Sequence, residues 1–78
     1  MDDFLRRLEY LKTGCPSYMI VDMTSEAQNQ VKNRGFSVFV LSNKFDDIGR
    51  QRVGVYYTEK GKKDLSDDYN FVMRGGFN

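Results

Sequence analysis

With 78 residues, 40% of them hydrophobic and 29% charged, the chain has the composition of one small globular domain and not of a disordered segment. Twelve basic residues against eleven acidic ones leave a net charge of +1, which argues against a general attraction to nucleic acid or to an anionic membrane. There is no histidine, and Cys15 is the only cysteine; an internal disulfide, a Cys/His zinc site and Ser-His or Cys-His nucleophile pairs are thereby excluded.

The spacing of Met1, Phe4, Leu5, Leu8 and Leu11 predicts a helix over residues 2–12 with one core-facing stripe. Asp2 and Asp3 suit its N-terminus and Lys12 its C-terminus, and Gly14 and Pro16 stop it. The start, MDDFLRRLEY, carries acids and no long apolar core, unlike a secretory signal. No apolar run reaches the length of a membrane span. Together with the lone cysteine, this points to a reducing, cytoplasmic setting.

Residues 16–34 admit two readings. As one long helix, Met19, Ile20, Met23, Ala27 and Val31 share an arc. As strand plus helix, 17–23 is a buried strand and Thr24 or Ser25 caps the helix, with Ser25 and Gln28 placed for a capping box. Gly35 ends the helix in both readings.

FSVFVLS, residues 36–42, is β-branched and aromatic and predicts a strand. A polar loop with Gly49 leads to a second strand over 52–58, and the two make a hairpin. EKGKKDLSDD reads as a charged turn, YNFVMR (69–74) as a third strand by its alternation, and 75–78 as a loose tail. The expected fold is α+β: a single domain, residues 1–78, with a helical N-terminal half packed on an antiparallel sheet of three strands, or four if 17–23 is extended.

Catalytic chemistry finds little support. The acid pairs Asp2-Asp3, Asp46-Asp47 and Asp67-Asp68 are adjacent in sequence, whereas two-carboxylate mechanisms need groups facing each other across a cleft. Gly49 and Gly54 have the spacing of two phosphate-loop glycines, but Val55 and Tyr56 replace the required Lys and hydroxyl. No catalytic residue, cofactor or metal site is expected, and Cys15 reads as an inert, partly buried thiol.

Arg34-Gly35-Phe36 matches the opening of the RNP1 strand of RNA-recognition motifs. The match ends there, because Val38 and Leu41 stand where that strand carries base-stacking aromatics. Strand alternation places Phe36, Val38, Val40, Val53 and Val55 on one face and Phe39, Leu41, Tyr56 and Val72 on the other. If the helices cover only the first face, the second is an exposed apolar patch, the usual mark of an interaction surface.

The expected function is therefore a non-enzymatic protein-binding or regulatory module. It acts through Phe39, Leu41, Tyr56 and Val72 on a protein partner or on a second copy as a homodimer. Its small size also fits a phage or mobile-element inhibitor of a host factor. The alternative is a single-stranded nucleic-acid binder, with Phe39 and Tyr56 stacking on bases and Arg34, Arg50, Arg52, Lys60, Lys62 and Lys63 meeting phosphates.

Overall fold

The computed structural model describes residues 2–75, with side chains from 3 to 69. The elements run α1 (Asp2–Thr13), β1 (Tyr18–Thr24), α2 (Ser25–Asn33), β2 (Ser37–Val40), β3 (Arg50–Tyr56) and α3 (Glu59–Gly75). The architecture is α+β, three helices on a three-stranded antiparallel sheet, and α1 packs on the sheet as expected.

Local chemistry sets the boundaries. Gly14, at φ +84°, closes α1 in a backbone conformation that side chains resist. Thr24 caps α2 by accepting the Ala27 N–H at 3.2 Å. The Ser25–Gln28 capping box does not form; Gln28 is buried and donates instead to the Met23 carbonyl and the Gln51 amide oxygen. At the other end Gly35, at φ +97°, donates to the Lys32 carbonyl while Phe36 donates to that of Val31. This paired closure also seats Phe36 against Val31 in the core. Asp46 holds the β2–β3 loop by accepting the N–H groups of Ile48 and Arg50, with Gly49 supplying the positive φ.

The strand order is β1-β3-β2, so β3 is central and the other two are edges. Tyr18 and Ser37 both lie opposite Tyr56, Ile20 and Phe39 both lie opposite Gly54, and Val21 and Val40 both lie opposite Val53. One face thus collects Met19, Met23, Val53 and Val55, which pack with Leu8 and Leu11 of α1, Val31 of α2, and Phe36. On this face Val21 and Val38 pack at the margin, as do Phe4 and Leu5 of α1.

Three expectations are corrected. YNFVMR is not a strand, EKGKKDLSDD is not a turn, and both belong to the 17-residue helix α3. Thr58 caps this helix by accepting the Gly61 N–H at 3.0 Å, and ion pairs four residues apart, Lys60–Asp64 and Lys63–Asp67, lie along it. The sheet still has three strands because 18–24 is the extended segment, which resolves the two readings of that stretch in favour of strand plus helix. The second sheet face is not bare: α3 crosses it, with Leu65 only 1% exposed over Gly54. The part of the tail beyond Gly75 lies outside the described residues.

Candidate functional site

The second face is built in rows across the strands. Ile20, Gly54 and Phe39 form one row, and Tyr18, Tyr56 and Ser37 the next. Gly54 has no side chain, and Leu65 of α3 occupies the notch this leaves. Gly61, one helical turn earlier, lies directly on the Ser17 carbonyl and the Tyr56 side chain. Through its described residues the helix therefore covers β1 and β3 closely.

Polar contacts pin α3 along the β1 side. The Ser17 hydroxyl donates to Asp64 at 2.8 Å, Lys60 reaches the same carboxylate oxygen at 3.1 Å, and the Tyr18 hydroxyl donates to Asp68. The Ser17 and Lys60 contacts hold the Asp64 carboxyl below its ordinary range. The hydrogen bond to Asp68, and then desolvation, push the Tyr18 phenol from its ordinary 10.0 up to about 12.

A phenol whose folded pKa is raised favours folding while it is protonated, and that contribution fades as pH rises through the gap. The Tyr18–Asp68 link is thus expected to be intact below about pH 10 and lost towards about pH 12. Urea unfolding across that range should show a falling stability that is shallower in Tyr18→Phe; an identical slope in the variant would refute the link.

The four residues expected to form an interface fare differently. Phe39 is 48% exposed at the β2 edge. Tyr56 and Leu41 are half-buried. Phe39 and Tyr56 come together with Lys62, Leu65 and Ser66 around a pocket of about 110 Å³. Leu41 stands further along, where its N–H donates to the Arg52 carbonyl at 2.9 Å. Val72 belongs to α3 and not to a sheet strand, and its side chain lies outside the described ones. Val40, assigned from sequence to the core face, is on that face but 44% exposed.

Sequence reasoning missed Leu65 and Ser66 and named Lys62 only as an alternative phosphate contact, whereas the three form the helical wall of this pocket. The signal that could have found them is the four-residue spacing of Lys60 with Asp64 and Lys63 with Asp67, which suits a helix face and not a turn.

The alternative nucleic-acid residues do not converge. Arg50 is paired with Asp46, Arg52 with Asp22, Lys60 with Asp64 and Lys63 with Asp67. Arg34 sits at the C-terminal cap of α2, and Lys62 lies beside Phe39. A separate cleft of about 520 Å³ runs between α1 and the start of β2, lined by Leu5, Arg6, Glu9, Lys12, Arg34 and Phe36 among others. Its Lys12 is held by Glu9 at 3.3 Å and lies over the Phe36 and Tyr57 rings. Phe36 is itself buried, so little of its own ring faces the cleft.

Cys15, expected to be partly buried, is exposed in the turn between α1 and β1. Among the described residues no three His, Cys, Asp or Glu side chains gather into a metal-binding group, and no helix is long and apolar enough to cross a membrane. Comparison with protein-family models, curated proteins and solved structures returned no match.

Proposed function

We propose that this chain is a cytoplasmic protein-binding or regulatory module, with no catalysis of its own, that docks through the apolar strip along β2. The observation that carries this reading is Phe39: a large aromatic side chain, 48% exposed, on an edge strand, beside a pocket whose other walls include Tyr56 and Leu65. Aromatic side chains next to small pockets are favoured anchors at protein interfaces. Val40 on the opposite face and Phe45 and Ile48 in the adjoining loop extend the exposed apolar surface.

The charge arrangement favours a protein over a nucleic acid as the partner. Four of the six candidate phosphate-binding cations, Arg50, Arg52, Lys60 and Lys63, are engaged by neighbouring carboxylates. Phosphate binding would compete with those carboxylates for the cations.

The reading requires Phe39 to be surface and the strip to ignore polynucleotide. Phe39→Asp is expected to unfold in urea at close to the parental midpoint, because exposed sites tolerate change. Sedimentation with a single-stranded oligonucleotide at low salt is expected to show no co-migration. An unfolded Phe39→Asp chain would make Phe39 core, and oligonucleotide binding that weakens steeply with salt would establish the nucleic-acid alternative; either result overturns the reading.

A further inference from the structure

We infer that the partner seated on this strip is a second copy of the chain, joined by antiparallel pairing of the two β2 edges with Phe39 facing Phe39 across the two-fold axis. This rests on the docking reading above and assigns its occupant.

Hydrogen-bond parity fixes which groups are available. Leu41 donates to the Arg52 carbonyl, and these two residues continue the β2–β3 register. In an antiparallel ladder every second residue bonds to the neighbour. Phe39 and Ser37 therefore turn their backbone groups towards β3, and Val38 and Val40 turn theirs to the open edge.

Two antiparallel copies of β2 can use both outward residues in one symmetric register only. Val38 then exchanges bonds with Val40 of the other copy, and Val40 with Val38. Shifting the register by two residues brings in Phe36 or Ser42, whose N–H groups already donate to Val31 and Arg52. The favoured register puts Phe39 opposite its own counterpart as a non-hydrogen-bonded pair, the closer kind, in which aromatic contacts add stability.

The side chains agree with the backbone. Phe39 is exposed on one face of β2 and Val40 on the other, at 48% and 44%. Apolar exposure on both faces is what a strand shows when its lateral neighbour is missing. Residues 36–42 contain no charge and no proline, so self-pairing sets no like charges opposite each other and meets none of the usual edge protection. The β1 edge, in contrast, carries Asp22 in its middle.

At Leu65, α3 leaves room. Phe39 and Gly54 share a row, and Leu65 lies over Gly54. In the pair, three strand spacings of about 4.8 Å separate the two β3 strands and hence the two α3 helices, ~14 Å in all. Directly packed helices lie about 8–10 Å apart, so the gap accommodates the two Phe39 rings between the Leu65 side chains. An edge this short buries less area than a standard interface of about 1,600 Å², and a weak dissociation constant, between about 1 μM and 1 mM, is expected.

The test uses the full chain with Cys15→Ser. Weight-average mass by sedimentation equilibrium is expected to rise from one chain towards two as concentration passes through that range. Phe39→Cys should give a covalent dimer under mild oxidation, whereas Val40→Cys, facing Val38 of the other copy, should not. Val40→Pro removes an N–H that points away from β3, and edge positions of that kind tolerate proline; it should remain monomeric with parental circular dichroism. A parent that stays monomeric to about 1 mM, or a dimer that cross-links through position 40 and not 39, overturns the self-pairing. Either outcome is separate from the results for Phe39→Asp and for oligonucleotide binding, which bear on the docking strip itself. Should Val40→Pro fail to fold, the two cysteine variants decide the matter alone.

Discussion

Gly61→Ala is expected to destabilise the protein by about 3 kcal/mol, although alanine is the better helix former by about 1 kcal/mol. A methyl group at position 61 would run into the Ser17 carbonyl oxygen and stand 2.9 Å from the Tyr56 Cβ. The nearest obstacle is backbone and cannot rotate aside. The helix would have to lift by about 1 Å or more to reach ordinary contact distance. That movement would draw Leu65 out of its notch and stretch the Ser17–Asp64 hydrogen bond, whose length is 2.8 Å. Overpacking therefore outweighs propensity. Urea denaturation followed by far-ultraviolet circular dichroism measures the difference; a Gly61→Ala chain as stable as its parent would show that α3 does not touch the sheet there.

The second large effect concerns the pair beneath it. Leu65 is 1% exposed, and Leu65→Ala is expected to cost about 3 kcal/mol through lost burial and the cavity left behind. Gly54→Ala alone should also destabilise, by about 1–3 kcal/mol, because its Cβ would meet Leu65 side-chain atoms at 2.6 and 2.8 Å. Together the two changes relieve each other, since the methyl at 54 enters space that the shortened residue 65 has vacated. The double variant should lose less than the sum of the singles by about 1 kcal/mol or more in a double-mutant cycle. Strict additivity would refute a direct contact between the two positions.

These two glycines also explain what the sequence concealed. A helix usually announces itself by an apolar stripe, but among the described residues the apolar packing of α3 on the sheet centres on Gly61 and Leu65, one of which has no side chain. Its cap is Thr58 with glycine three residues on, where a capping box would place Glu or Gln. The alternating YNFVMR then imitated a strand period over six residues, a length at which helix and strand patterns overlap.

Where burial was larger, the pattern was readable. Leu8 and Leu11 announced α1, and the alternation of Val53 and Val55 about Gly54 placed β3 on the correct face. The segment 17–23 was ambiguous because its methionines and isoleucine satisfy both periods. Tertiary pairing with β3 decides it, and that information is not local. Phe39 and Tyr56 were identifiable as neighbours from strand parity, whereas Lys62 and Ser66 required knowing that a helix, and which face of it, lay alongside.

The position of β3 has a consequence for how the molecule comes into being. Among the described residues of one chain both edge strands pair with β3, and β3 is the last of the three in the sequence. During synthesis the first 49 residues can coil into α1 and α2 but hold no finished ladder, leaving VFV without a backbone partner. Residues 50–56 act as a keystone: their emergence lets both flanks close at once, and the two ladders wait for them.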